Sequence, residues 1–266
     1  MRVFFTAFVI LLITSCQQEV EQKVDRFETL PENESGDIVR KAIARAGGWE
    51  NWIAKDNFSF YKKITHLDSI GAVERSVKQH HIYNLKNTFK ARMEWNMGDD
   101  HYLIINNGEV AKKYKNKIEL TDQRSKNEAW NSSYGSHYVI GMPYKLTDPG
   151  VTLTYEGIDS MTLDRPVHSI KVDYAKGSGS AGGMHRWWYY FDLDNYDLAG
   201  FFLDHGKGYS LTTYEIFEKV GAHRLHNKRF SYISNAKKEK VQLRTIYKNE
   251  EMQFTEVLDD NMFALE

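Results

Sequence analysis

The stretch HRWWYYFDLD, residues 185–194, decides the fold class. Side chains alternate along a strand, so Trp187, Tyr189, Phe191 and Leu193 face one way while Trp188 and Tyr190 face the other. A half-exposed strand would carry polar residues on its second side. This one must be covered on both sides, as in a sheet curled around its own contents.

Outward from it, segments rich in β-branched and aromatic residues recur between turn signals at residues 58–67, 73–83, 88–95, 102–106, 110–114, 151–155, 167–174, 186–192, 200–204, 210–217, 225–233, 240–247 and 254–258. Asn106-Asn107-Gly108 is the clearest hairpin signal, because Asn-Gly accepts the positive φ values of a type I′ turn. Most of these segments have no long helical stretch between them. Without crossover helices the sheet is expected to be antiparallel and the class mainly β, with a minor helical part.

Two helices are expected. SGDIVRKAIARAGG, residues 35–48, has Ser35 as N-cap, Gly47-Gly48 as stop and one apolar face of Ile38, Val39, Ala42, Ile43 and Ala46. Trp49 and Trp52 follow and should wedge their indoles against the first strands. The second helix lies in DQRSKNEAWNSSYGSHYVIGMPYKLTDP, residues 122–149. Trp130, Tyr134, His137 and Tyr138 fall at i, i+4, i+7 and i+8, an aromatic face for laying on the sheet. Residues 141–150 carry two of the chain's four prolines and should form an ordered loop.

A curled sheet with a helix across its mouth encloses either a cavity for one apolar ligand or a solid aromatic core. Both remain open at this point. Aromatics make up 14% of the chain and tyrosines (16) outnumber phenylalanines (14). Many hydroxyls therefore need partners. The candidate ligand contacts are Trp130, Tyr134 and Tyr138 from the lid helix, with Trp188 and Tyr190 from the sheet.

At the start, MRVFFTAFVILLITS has one cation, Arg2, before an apolar run over residues 3–13. That run is too short for a helix crossing a hydrocarbon core of about 30 Å, and fits a signal-peptide core of about 7–15 residues. Ile13-Thr14-Ser15-Cys16 matches the lipobox position by position, and here the chain resembles bacterial lipoprotein precursors. The resemblance implies removal of residues 1–15 and lipidation of Cys16, whose acyl chains would anchor the protein to a membrane. Cys16 is the chain's single cysteine, so no disulfide forms within it. Residues 16–34 are polar and acidic and read as a flexible tether, leaving residues 35–266 as a single domain. Gln17 lacks the Asp of inner-membrane retention in enterobacterial lipoproteins, which favours an outer-membrane address by analogy. The 35 basic and 36 acidic residues argue against a nucleic-acid partner.

AIARAGGWENW, YVIGMPYKLTDPG (residues 138–150) and WWYYFDLD together resemble a Bacteroidetes family of lipoproteins of unknown function. That family looks similar to the periplasmic lipoprotein carriers LolA and LolB. The resemblance implies an unclosed antiparallel β half barrel with an N-terminal helix and an inserted lid helix, binding a lipid, acyl chain or other apolar molecule. It assigns no catalytic residue and no cofactor.

Motifs for chemistry read otherwise. The glycine-rich residues 177–182 open a strand and no helix, so they make neither a nucleophile elbow nor a phosphate cradle. His223 and His226 are three apart at the entrance of a strand, where they face opposite sides, and His80-His81 has the same fault as a metal pair. Residues 192–197 start like a calcium loop but place Tyr196 at a ligand position, and read as a turn. Asp68-Ser69-Ile70 and Asp159-Ser160-Met161 resemble O-glycan acceptor sites of exported Bacteroidetes proteins, with Ser69 and Ser160 as acceptors in surface turns. The expectation is a non-enzymatic, membrane-tethered binding protein without metal. One alternative is a scaffolding lipoprotein with a solid core and an envelope protein as partner; another is a hydrolase whose site is assembled from residues far apart in the sequence, without a recognisable motif.

Overall fold

The computed structural model describes residues 25–86, 88–178, 185–255 and 258–265; Cys16 and most of the glycine-rich residues 177–182 lie outside them. The strands are β1 (Asn57–Leu67), β2 (Val73–Asn84), β3 (Lys90–Met97), β4 (Asp100–Asn106), β5 (Ala111–Lys115), β6 (Ile118–Glu119), β7 (Val151–Asp159), β8 (Val167–Tyr174), β9 (Arg186–Asp192), β10 (Leu198–Asp204), β11 (Tyr209–Val220), β12 (His223–Ser234) and β13 (Lys240–Thr255). The helices are α1 (Glu34–Arg45), α2 (Trp49–Ile53) and α3 (Gln123–Ile140). Among the described residues all 13 strands join one antiparallel sheet in the order β6-β5-β4-β3-β2-β1-β13-β12-β11-β10-β9-β8-β7. The curled antiparallel sheet is as expected.

This order dictates the lid. The chain climbs one meander outward from β1 to the edge strand β6, and the other returns from the opposite edge, β7, to β13, which closes on β1. The connection from β6 to β7 must therefore travel from one sheet edge to the other. It does so as α3 followed by the loop with the cis Met142–Pro143 bond and a 3-10 turn at Tyr144–Thr147.

β9 is covered on both sides. Trp187, Tyr189 and Phe191 join α1 residues Ile38, Val39, Ala42 and Ile43 in the main core, while Tyr190 and Trp188 pack with Leu163, Phe202 and Leu211 on the outer face. β10 follows suit, with all seven residues buried.

Several local readings change. Asn33, not Ser35, caps α1, its side chain accepting from Gly36 N while Ser35 Oγ donates to it (2.6 Å). Only Gly108 has positive φ in the Asn107 loop. The paired positive φ values of a type I′ turn occur instead at Asn116 and Lys117 (φ 49° and 69°), between β5 and β6. The sequence predicts separate strands at residues 240–247 and 254–258. The polar residues between them pair with β1 around a bulge, Lys62 opposite Asn249 and Tyr61 opposite Glu250, so β13 runs unbroken to Thr255. Trp52 stacks on Tyr144 at 4.4 Å and meets Phe254 edge-on, so it wedges against β13 and the lid loop instead of the first strands. From Asp25 the segment read as tether is docked: Trp49 Nε1 donates to Asp25 Oδ1 (2.7 Å), and Leu30 is buried.

Candidate ligand-binding cavity

What the lid encloses depends on which side of α3 turns inward. Asp122 caps the helix, its side chain accepting from Ser125 N (3.0 Å), and three stripes run along it. Ser125, Ala129 and Ser133, four residues apart, are buried against the sheet. Small side chains let the helix lie close. Ser133 Oγ donates to Ala129 O (2.9 Å) and accepts from Asn106 Nδ2 (3.0 Å), both side chains fully buried. The second of these bonds ties the lid to β4, and the first is the back-bond a helical serine commonly makes.

The second stripe is Glu128, Asn131, Ser132, Gly135 and Ser136, and it roofs a cavity of about 290 Å³. That volume lies at the lower edge of the range of about 300–1,000 Å³ usual for small-molecule pockets. Ile64, Met93, Trp95, Ile104 and Tyr247 form its apolar walls; Lys62, His66 and Gln79 are the sheet's polar contributions. The lining is amphipathic: apolar sheet below, polar helix above. A Cβ placed on Gly135 would meet nothing within 4 Å, so the roof is open there.

β1 sets the polarity along the cavity. Alternation makes its inward side Phe58, Phe60, Lys62, Ile64 and His66, of which the last three line the cavity in succession. The two phenylalanines are buried in the closed core, so Lys62 stands at the cavity's inner end. It is 8% exposed, and Nζ donates to Ser136 Oγ (3.0 Å). Burial, with the charge of Arg229 added, pulls its ammonium well below the ordinary lysine range. Nearby, neutral His81 donates from Nε2 to Gln79 Oε1 (3.1 Å) and accepts at Nδ1 from Tyr83 OH (2.7 Å), a tautomer fixed by these partners. Glu128, the carboxylate in the lining, is ion-paired with Lys113 at 2.8 Å. Behind Tyr247, Arg229 lays its guanidinium 4.2 Å from the ring centroid and donates to His226 Nε2 (3.0 Å).

Under α1 the concave face is different. The space among Ala42, Met142, Leu198 and His226 amounts to about 10 Å³. That is room for at most one water. Solid core and cavity thus divide the sheet between them.

None of the five sequence-predicted contacts borders the cavity. Trp130, 41% exposed, and Tyr134 pack on each other (4.8 Å), and Tyr134 lies on Phe89 (4.8 Å), along the third stripe of α3. Tyr138 is buried in the α1 core, its hydroxyl bonded to that of Tyr174. Trp188 and Tyr190 lie on the outer face because alternation places them opposite Trp187, Tyr189 and Phe191, which α1 and the lid loop cover. Trp188 donates to Glu156 Oε2 (2.9 Å). The sequence marks of this cavity are its polar exceptions: a lysine in phase with Phe58, Phe60 and Ile64, and polar or small residues at helical spacing from Glu128 to Ser136. His223 and His226 keep separate partners, Tyr144 OH (3.0 Å) and Arg229. Ser69 and Ser160 are exposed, each following an aspartate whose Oδ1 accepts from the amide two residues on, Ile70 and Met161.

No protein-family model matches the chain, and no curated protein matches it in sequence. Its shape is matched among solved structures. A DUF1329 family protein from Desulfovibrio piger aligns at TM-score 0.54 with 11% identity, over 87% of this chain and 98% of that one. A LolA superfamily protein from Nitrosomonas europaea aligns at TM-score 0.51 with 10% identity, over 87% of this chain and 97% of its own. At such identities the likeness concerns the fold alone. The chain has a LolA-like fold, one curled antiparallel sheet open between β6 and β7 with a helical lid across the opening.

Proposed function

We propose that this protein is a lipid-anchored lipoprotein of the cell envelope, held at the outer membrane through Cys16, that binds an apolar or amphipathic molecule such as a lipid or acyl chain. The observation that carries the reading is the cavity under α3, with apolar walls from β1, β3, β4 and β13 and a polar roof. The role is binding without catalysis. The lipobox-like Ile13-Thr14-Ser15-Cys16 and the resemblance to Bacteroidetes lipoproteins support the address. Ligand and anchor are tested separately. A truncated protein starting after Cys16 should bind a fluorescent fatty acid saturably at one site, and absence of saturable binding in a titration would refute the cavity's role. Cys16→Ser should move the full chain from the membrane fraction to the soluble envelope fraction with its fold intact; a variant still sedimenting with membranes would exclude Cys16 as the anchor.

Ser69 and Ser160 are proposed O-glycan acceptors, since an aspartate-anchored turn presents each serine to solvent. Intact-mass measurement on protein from the native host should show sugar additions beyond the acyl chains.

A further inference from the structure

The buried cations among the described residues are Lys62 and Arg229, 8% and 7% exposed, and neither forms an ion pair within them. Other cations near the lid do: Lys113 with Glu128 and Lys112 with Glu119. Taking a charge out of water is unfavourable unless an opposite charge or several hydrogen bonds replace the lost hydration. Lys62 has one such bond, to Ser136, where an ammonium can donate three. Arg229 has one neutral acceptor, His226, and the face of Tyr247.

The two cations flank one ring. Tyr247 lies in the cavity wall, with Lys62 Nζ 5.3 Å and the Arg229 guanidinium 4.2 Å from its centroid. Facing Arg229 across the β11–β12 ladder, Tyr214 is buried with its hydroxyl unpartnered among the described residues. An arginine retains its proton at any physiological pH, so the inner end of the cavity keeps a positive charge beside it. Ile64, Met93, Trp95 and Ile104 continue outward from it as apolar wall.

Resting on the reading of the cavity as a ligand site, we propose that its inner end is an anion site. Lys62 takes the carboxylate or phosphate head of a single-chain amphiphile whose chain lies on Ile64, Met93, Trp95 and Ile104, while Arg229, behind Tyr247, adds positive charge without touching the head. The head enters first and displaces the Lys62–Ser136 bond or shares it. This geometry separates acids from their neutral analogues.

The test is competition for bound cis-parinarate on the truncated protein. Dodecanoate and dodecyl phosphate are compared with methyl dodecanoate, which has the same chain and no charge. In the wild type at least one anion should displace the probe at a concentration about tenfold or more below the ester's, as a charge-assisted hydrogen bond implies. Which anion competes better assigns the head group. In Lys62→Met the anions should fall to the ester's level, and the ligand-free variant should melt above the wild type, because an unpaired buried charge has gone. Equal displacement by ester and anions in the wild type would overturn the anion site while leaving the cavity a ligand site. Parinarate that fails to bind the wild type saturably would instead refute the ligand site itself. The wild-type comparison decides even if Lys62→Met does not fold.

Discussion

Lowering the pH from 7.5 to 5.5 should reduce the melting temperature by about 10 °C, through histidines the fold keeps neutral. His81, His137 and His226 are all but sealed from solvent, and burial holds each well below the ordinary imidazole value of 6.5. The positive charges of Lys62 and Arg229 reinforce this for His81 and His226, as Lys145 does for His137. The sign follows from proton counts. Below about 6.5 the unfolded chain takes up protons that the native state refuses, so stability is complete above that value and declines as pH falls below it. Each such histidine contributes up to about 1.4 kcal/mol per pH unit, so three give a slope of about 4 kcal/mol per unit. The depressed ammonium of Lys62 acts in the same direction at higher pH, its unfolded form holding a proton more firmly. Thermal unfolding followed by circular dichroism across this range checks it; a flat profile would mean that the imidazoles are hydrated.

Ser133→Leu should destabilise the protein by about 3 kcal/mol, more than Trp130→Ala on the same helix, for which about 1 kcal/mol is expected. Ser133 is fully buried where α3 meets β4, and leucine would force the helix off the sheet. The Asn106 amide, also fully buried, would lose its acceptor. Trp130 sits at the rim, 41% exposed, and its loss removes one side of a ring contact with Tyr134. Urea denaturation of the two variants ranks them, and a larger loss for Trp130→Ala would reverse the assignment of the lid's inward face.

The contrast between these residues shows why the fold was more legible than the site. The aromatic residues on both faces of residues 186–192 and the apolar face of residues 38–46 are produced by burial itself, and both appear in the structure where the sequence placed them. The absence of crossover helices likewise yields the antiparallel sheet. The side of α3 that approaches the sheet is set by something else, the need for close approach, which selects serine and alanine and leaves Trp130 and Tyr134 to the rim. Size was a poor guide to inwardness there. In residues 58–66 the signal was present: lysine at a position whose neighbours in phase are Phe58, Phe60 and Ile64 is out of place unless something inside requires a charge. That Arg229 joins it depends on β13 lying between β1 and β12, which brings together opposite ends of the chain in a pairing that no local pattern reveals.

The cavity under α3 is tested most directly by filling it. Gly135 borders it with open space where a side chain would begin, so Gly135→Trp can place an indole in the void without displacing backbone. Titration of cis-parinarate should give saturable binding to the wild type and to Trp188→Ala, whose altered side chain is on the outer face. Binding to Gly135→Trp should be weaker by about tenfold or more. Undiminished binding to a folded Gly135→Trp, or loss of binding in a folded Trp188→Ala, would place the ligand elsewhere and contradict the cavity as its site.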